Sequence, residues 1–164
     1  MSKRRKKQAA PVMHLSTGPL PVRLMPGFGN LPLVFTDASR LRHGGLSVVL
    51  YADAASEPLA FARCVPLDGS NELELRAAVF GLEQADRLYP GMAFALFSDN
   101  LDAIRRLSRA KMLGCALDTE LGERFPGQPL DAWLAQANLN WIKGHGTCRG
   151  NALADAQARV AAGA

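Results

Sequence analysis

Four acidic residues lie at the predicted ends of β-strands or in the first turns of predicted α-helices. Asp37 closes the run LPLVFTD and Asp99 closes MAFALFSD, whereas Glu74 and Asp155 lie in the helical stretches NELELRAA and NALADAQA. Neighbouring parallel strands end at one sheet edge, which a packed helix can also reach, so we expect the four carboxylates to converge. Converging carboxylates need a divalent cation, and their oxygens suit Mg²⁺ or Mn²⁺ rather than zinc. Two such ions roughly 3.5–4 Å apart can support phosphodiester cleavage.

A histidine precedes the fourth acid. His145 lies between Gly144 and Gly146, ten residues before Asp155. Glycine neighbours give a loop conformational freedom, which a moving catalytic group needs. Taken alone, His145 is equally consistent with a loop histidine that has no chemical role, and Asp155 with a surface aspartate. The surrounding elements must decide between these interpretations.

The hydrophobic pattern predicts the elements that position these residues. Short apolar runs separated by turn residues predict three antiparallel strands at 31–37, 46–53 and 58–65. A helical period covers 71–89, and a continuous apolar run at 92–99 is typical of a buried strand. The intervening helix implies that the strands it connects are parallel. The remaining predicted elements are helices at 100–110, 129–137 and 151–162, a strand at 139–143, and a less regular region at 111–129.

Length and charge divide the chain into two parts. The 164 residues suffice for one domain with a hydrophobic core. The net charge of +4 comes from one basic run, Lys3, Arg4, Arg5, Lys6 and Lys7. Residues 1–30 also contain prolines and glycines without a period, which predicts a flexible basic arm ahead of a domain at 31–164. Such an arm can bind phosphates without reading sequence, although a tail that only aids solubility would look the same.

Other features bear on the location of the protein. The longest apolar runs are much shorter than the roughly 18 residues of a membrane helix, and no apolar stretch follows the basic N-terminus. Cys64, Cys115 and Cys148 are widely spaced and odd in number, which argues against a disulfide framework. We expect a cytoplasmic monomer without a membrane contact or a protein partner.

The motifs FTDAS, NELELRAA, FSDN and WIKGHGTCRGNALAD together resemble the type 1 ribonuclease H family. They occur in the order of that family's T-D-G-S, M-E-L, S-D and K-G-H…N-x-x-x-D motifs, and the resemblance spans about residues 31–162. It implies an α/β fold with a five-stranded mixed sheet, three antiparallel strands and then parallel strands, flanked by helices. It also implies endonucleolytic hydrolysis of the RNA strand of RNA:DNA hybrids.

The resemblance assigns a role to each matching residue. Asp37 would contact both of two Mg²⁺ ions, with Mn²⁺ as a substitute. Glu74 and Asp99 would hold one ion, and Asp155 would complete the site of the other. His145 matches the family's loop histidine, which would assist proton handling or product departure.

Three nearby residues have competing interpretations. Glu72 is an alternative to Glu74, but the E-L-x-A-A match favours Glu74. Asn71 matches a family asparagine that contacts bases in the minor groove, and equally fits a helix cap. Asn151 is predicted to cap the helix that carries Asp155.

The segment ASRLRHGGL departs from the family pattern. In many family members this position holds a loop rich in glycine and asparagine whose backbone contacts RNA 2'-hydroxyls. In this chain Arg40, Arg42 and His43 would contact phosphates instead. Leu101 also stands where a polar residue often contacts the hybrid. Lys143 of the K-G-H motif is a further candidate nucleic-acid contact. Since the 2'-hydroxyl distinguishes RNA from DNA, these changes weaken the expectation of strict hybrid specificity.

Two alternatives therefore stay open. One is an enzyme of the same fold that cuts DNA, such as a resolvase or an integrase-like nuclease, although those families do not usually have the K-G-H loop. The other is a noncatalytic nucleic-acid-binding module. Such a module would have no physical reason to keep four converging carboxylates.

Overall fold

A computed structural model describes residues 14–164 of the chain. The predicted basic run at 3–7 lies outside the described residues. The strands are β1 (Leu33–Arg40), β2 (Gly44–Tyr51), β3 (Leu59–Val65), β4 (Phe94–Ser98) and β5 (Ala137–Trp141). The helices are α1 (Ser70–Leu88), α2 (Leu101–Leu113), α3 (Thr119–Arg124), α4 (Leu130–Gln136) and α5 (Arg149–Ala161), with short 3-10 turns at Met25–Gly27 and Cys115–Leu117.

The strands form one five-stranded mixed sheet in the order β3-β2-β1-β4-β5. β1 and β3 pair with β2 in antiparallel register, whereas β4 is parallel to both β1 and β5. Leu33 lies opposite Tyr51 on one side and Ala95 on the other. The predicted fold, with three antiparallel strands followed by parallel strands, is confirmed.

The alternation of side chains along the strands builds a core on each face. Val34, Val48 and Leu96 point to the face covered by α1, α2 and α4, whereas Phe35 and Phe97 point to the opposite face. β4 is buried on both faces, which explains why its sequence FALFS is continuously apolar. Because Phe35 of β1 lies opposite Phe97 of β4, the end of β4 lies beside the middle of β1.

Small residues set how closely the helices approach this sheet. A Cβ atom added to Gly81 of α1 would lie 2.4 Å from Cγ2 of Thr36 in β1. A Cβ atom at Gly150 of α5 would lie 2.4 Å from the Phe35 ring. Both helices consequently pack against β1 more closely than an alanine would permit.

Two regions differ from the predicted outline. α3 forms within the stretch expected to be irregular, and Asp118 caps it by accepting a hydrogen bond from the backbone N–H of Leu121 at 3.1 Å. Residues 14–30, placed by sequence in the flexible arm, instead pack on the sheet. Leu20 is only 1% exposed, and the rings of Phe28 and Phe97 lie 5.0 Å apart.

The physical reason for this second difference is the uncovered face of the sheet. Together with α5, the apolar side chains of Leu20, Leu24, Met25 and Phe28 cover the face that carries Phe97. Scattered apolar residues can bury surface without a helical or strand period, so proline and glycine content alone was misleading. Within residues 14–164, no helix is long and apolar enough to cross a membrane.

Candidate metal centre

The structure brings three of the predicted acids together at one edge of the sheet. Asp37 lies in β1, Asp99 follows the last residue of β4, and Glu74 lies in the second turn of α1. One carboxylate oxygen from each residue lies within 4.8 Å of the others. β1 continues three residues beyond Asp37, so this aspartate lies within the strand and not at its end. Its side chain is accordingly only 3% exposed.

Asp155 lines the same cleft without joining that group of three. It is the seventh residue of α5, farther along the helix than the sequence suggested. Asp37, Glu74, Asp99, His145 and Asp155 together line a cleft of about 340 Å³. The sequence-based convergence of the acids is thus reproduced in space, with Asp37 at its centre.

The pKa values of the cluster show that its charged carboxylates are unfavourable without a bound cation. Burial, followed by the negative charges of Asp99 and Asp155, raises the pKa of Asp37 from 3.8 to about 8. Burial, followed by the charges of Asp37 and Asp99, raises the pKa of Glu74 from 4.5 to about 9. Taking carboxylates out of water and placing them beside one another disfavours their charged forms, and so both pKa values rise.

A divalent cation fits this donor set. The Oε2 atom of Glu74 is buried and has no hydrogen-bond partner among the described residues. A buried acceptor without a partner is unfavourable, and a bound cation would satisfy it. Hard carboxylate oxygens suit Mg²⁺ or Mn²⁺. Asp37, Glu74 and Asp99 therefore have the chemistry and the spacing of a metal site.

Several neighbours fix the position of Asp99. The indole Nε1–H of Trp141 donates to the backbone oxygen of Asp99 at 2.9 Å. A Cβ atom at Gly144 would lie 2.9 Å from Asp99 Oδ2, so this carboxylate rests against the glycine. Burial raises the pKa of Asp99, while the amide of Asn151 and the charge of His145 oppose that rise. Asp99 is thus oriented by groups from β5, the following loop and α5.

The size of an indole ring predicts a core position for both Trp133 and Trp141, although Trp141, beside the K-G-H loop, could instead help to position that loop. The core prediction was wrong for Trp141. Its side chain is 49% exposed, whereas Trp133 is buried in the core as expected. Trp141 is the last residue of β5, which is an edge strand with no further strand beside it, so few neighbours surround this side chain. The hydrogen bond to Asp99 gives its polar edge a partner while the rest of the ring meets solvent.

His145 lies at the rim of the cleft in the loop between β5 and α5. Its φ of 53° is the one positive value found at a non-glycine residue in the described chain. This left-handed conformation is unfavourable for a side-chain-bearing residue, so contacts around the loop must hold it. The imidazole is exposed, and its charge lowers the pKa of Asp99, so the two side chains lie close together at the cleft.

The two predicted helix caps are not present. The N-cap of α1 is Gly69, and Asn71 instead donates to Asp102 at 3.2 Å and accepts from Asn100 at 3.1 Å. The N-cap of α5 is Cys148, whereas Asn151 lies inside that helix, buried, and lines the cleft. Each helix begins earlier than its asparagine, which leaves both amides free for side-chain contacts.

Glu72 points away from the cluster and forms an ion pair with Arg124 at the end of α3. Glu74, two residues later, points into the cleft. Residues two apart on a helix face different directions, so one acid reaches the sheet edge and the other reaches α3. The geometry thus separates the two candidates in favour of Glu74 as the carboxylate of the cluster.

The other predicted nucleic-acid contacts lie outside the cleft. Arg40 donates to the backbone oxygen of Asp68 at 2.9 Å, and Arg42 packs beside Gly163. Lys143 is exposed in the loop before His145. The hairpin that carries both arginines is tied to the end of α5, since His43 N–H donates to Ala162 O at 3.0 Å.

A larger cleft of about 610 Å³ lies between α2 and α3 and contains none of the acids of the cluster. Arg105 and Arg109 line it and are exposed. From the sequence, Arg105, Arg106 and Arg109 could line a nucleic-acid path, although a solvated helix face explains them equally well. Arg106 forms a bidentate ion pair with Asp118 at 2.9 and 3.0 Å. Arg106 is consequently less available for phosphate binding than Arg105 and Arg109.

Two residues near the acids were not identified as site residues from the sequence. Asn151 was predicted as a cap, and Trp141 as core. The N-x-x-x-D spacing did carry a signal for Asn151, since residues four apart share a helix face and Asp155 points into the cleft. No comparable pattern marks Trp141, whose role depends on the parallel register that places it opposite Ser98.

Comparison with known proteins shows similarity in structure and not in sequence. No family model and no curated protein matches the sequence. LC11-RNase H1, solved in complex with an RNA/DNA hybrid, is 14% identical over 77% of this chain and 92% of its own, with a TM-score of 0.58. The RNase H1 of Halobacterium salinarum is 18% identical over 79% of this chain and 96% of its own, also at 0.58. The N-terminal RNase H domain of a Mycobacterium tuberculosis protein is 16% identical over 82% and 97%, with a TM-score of 0.59. The chain therefore has the ribonuclease H-like fold.

Proposed function

We propose that this protein is a metal-dependent endoribonuclease that hydrolyses the RNA strand of RNA:DNA hybrids. The observation that carries the proposal is the convergence of Asp37, Glu74 and Asp99 to within 4.8 Å at the sheet edge. A structural neighbour of the same fold was solved with an RNA/DNA hybrid, which supports this class of substrate. We also propose that the protein is a cytoplasmic monomer.

The chain's own residues divide the work in the proposed mechanism. Asp37, Glu74, Asp99 and Asp155 would together hold two Mg²⁺ ions, with Asp37 as the central ligand. When bound, the cations supply Lewis acidity that polarises the phosphate and makes the attacking water acidic. His145 on the rim would carry a proton to or from the departing product. The buried floor of the cleft keeps the carboxylates oriented before substrate arrives.

Substrate contacts are proposed around this cleft. Asn71 would meet bases in the minor groove beside the acids, and Lys143, Arg40 and Arg42 would meet phosphates. The basic run at 3–7 would add sequence-independent attraction. Eight residues, 8–15, lie between Lys7 and Ser16, so the basic run can lie at most roughly 30 Å from Ser16. Because Ser16 contacts the loop that carries His145, the run can reach substrate bound at the cleft.

A cleavage assay tests the proposal directly. End-labelled RNA:DNA hybrid, double-stranded RNA and double-stranded DNA are incubated with the protein and Mg²⁺, Mn²⁺ or a chelator. We expect cutting of the hybrid alone, dependent on the metal and lost in Asp37→Asn. Asp86→Asn, an exposed aspartate on α1, is the matched control and should remain active. Cutting of DNA would instead favour the alternative nuclease, and no cutting of any substrate would favour a noncatalytic binding module.

The basic arm is tested by removing residues 2–10. We expect weaker hybrid binding and a smaller dependence of the binding constant on salt. The magnitude of the slope of log K against log salt should fall by up to about 4.5, since the deletion removes five basic residues and each neutralised phosphate contributes roughly 0.9. Unchanged binding at low salt would contradict a role for the arm while leaving the cleavage mechanism untouched.

A further inference from the structure

Residues 16–20, here called the N-terminal clamp, join the start of the chain to the loop and helix that follow β5. Every polar group of Ser16 is engaged. Its N–H donates to Thr147 O at 2.7 Å, and its backbone oxygen accepts from Arg149 Nε at 2.8 Å. Its hydroxyl donates to Gly18 O at 2.7 Å and accepts from Arg149 N–H at 3.1 Å. Pro19 and Leu20 are buried behind it, so the clamp has a fixed base.

The clamp supplies what the beginning of α5 lacks. The first backbone N–H groups of a helix have no partner within the helix, and a capping side chain usually accepts from one of them. Cys148, the N-cap of α5, makes no such hydrogen bond. Ser16 Oγ accepts from Arg149 N–H instead, and Pro19 O accepts from Gly150 N–H at 2.9 Å. The cap of α5 thus comes from a segment 133 positions earlier.

The same clamp holds the far end of the histidine loop. The near end is fixed by Ile142 N–H, which donates to Ser98 O at 3.0 Å. The far end is fixed where Thr147 O accepts from Ser16, two residues after His145. Between these points His145 keeps its left-handed backbone conformation with φ of 53°. Such a conformation persists only where the surroundings impose it, and the clamp is part of those surroundings.

We propose that Ser16 is a positioning residue for His145. Ser16 does not reach the acid cleft; it fixes the exit of the loop and the first turn of α5, and thereby the place of the imidazole at the rim. The inference rests on the proposed function for the role of His145. A segment ahead of the first strand would then control the geometry of a catalytic loop near the end of the chain.

The decisive experiment is a double-mutant cycle on hybrid cleavage with Ser16→Ala and His145→Ala. Ser16→Ala removes the two hydrogen bonds of the hydroxyl, the one donated to Gly18 O and the one accepted from Arg149 N–H. It should lower kcat by about threefold to tenfold, the range expected for such a loss, with KM nearly unchanged. In the His145→Ala background the same change should have little further effect, because a residue that acts through another is non-additive with it. An equal loss of kcat in both backgrounds would overturn the proposal.

Two further variants separate positioning from general stability. Ser16→Thr keeps the hydroxyl and should restore most of kcat. Thr17→Ala alters the exposed neighbouring side chain and is the matched control, with wild-type kcat expected. A loss of kcat in Thr17→Ala equal to that in Ser16→Ala would mean that any disturbance of the segment has the same effect, and would refute a specific role for Ser16.

Amide hydrogen exchange distinguishes failure of the clamp from failure of the proposed function. Ser16→Ala should speed exchange at residues 143–150 while leaving β1 and β4 protected. This readout does not depend on cleavage. If the wild type cuts no hybrid, the proposed function is wrong. The hydrogen-exchange rates of Ser16→Ala then still show whether Ser16 orders the loop. Unchanged exchange at 143–150 would refute a role of the Ser16 hydroxyl in ordering the loop, even in an active enzyme.

Discussion

Neutralising Asp37 should stabilise the metal-free protein while abolishing cleavage. In the absence of cation, the fold holds Asp37 beside Glu74, Asp99 and Asp155 with a side chain only 3% exposed. The raised pKa of about 8 means that the folded state favours the protonated carboxyl. Replacing Asp37 by Asn keeps the shape of the side chain but removes its charge, so the repulsion within the cluster falls.

The sign of the pH dependence follows from this shift. Below about pH 4 the carboxyl is protonated in both states, and its stabilising contribution is fully present. As the pH rises toward 8, the unfolded chain loses the proton before the folded chain does, and stability falls. Within that window the free energy of unfolding falls by roughly 1.4 kcal/mol for each pH unit. At pH 7 the ionisation of Asp37 therefore lowers it by at most about 4 kcal/mol.

Replacing Asp37 by asparagine should recover only part of this lost free energy of unfolding, because the new side-chain amide also needs hydrogen-bond partners in a buried site. We expect a gain of about 2 kcal/mol for Asp37→Asn at pH 7, or roughly 4–8 °C in Tm for a chain of this length. At about pH 4.5 the gain should shrink by more than half. Thermal unfolding in a chelator at both pH values measures it, with Asp86→Asn as the control.

Adding Mg²⁺ completes the test. A cation at 100 times its Kd stabilises the folded state by about 2.7 kcal/mol, so the Tm of the wild type should rise. Asp37→Asn should respond much less because it has lost the central ligand. The reasoning is refuted if Asp37→Asn lowers the Tm in chelator at pH 7, or if wild type and variant gain equally from Mg²⁺.

Two further predictions concern packing around the site. Gly45→Ala should destabilise the protein by roughly 2 kcal/mol or more and reduce cleavage, since the new Cβ would lie 2.0 Å from Ala158 O of α5. Gly122→Ala, with open space around it on α3, is the control and should be neutral or stabilising in thermal unfolding. Trp141→Phe removes the donor to Asp99 O and should lower kcat about threefold to tenfold. Wild-type cleavage rates in Trp141→Phe would show that this hydrogen bond does not orient Asp99.

The order of the elements and the positions of the acids could be predicted from the sequence because local patterns encode them. The alternation along LPLVFTD and the continuous apolar run of FALF follow from burial on one or both faces of a sheet. A helix between two strands requires parallel pairing, and parallel strands end at the same edge. Asp37 and Asp99 could therefore be placed together before any coordinates were known.

Features that depend on distant contacts could not be predicted in this way. Leu20 and Phe28 lie in a segment without a period, and their burial depends on a sheet face that α5 leaves uncovered. Asn151 resembled a cap because asparagine favours that position, but α5 begins two residues earlier. The hydrogen bond of Trp141 depends on strand register, which local pattern sets only loosely.

The geometry of the site is most sensitive to how α5 packs against the sheet. Asp37 and Asp99 are fixed by backbone pairing within one sheet, but Asp155 reaches them only because α5 packs directly on β2. Ser47 Oγ donates to Ala154 O at 2.6 Å, and Gly45 allows the helix backbone to approach. A shift of α5 by a fraction of an ångström would leave the sheet intact yet move the fourth carboxylate. Disturbances of this contact should therefore reduce cleavage before they unfold the protein, since catalysis tolerates less displacement than folding does.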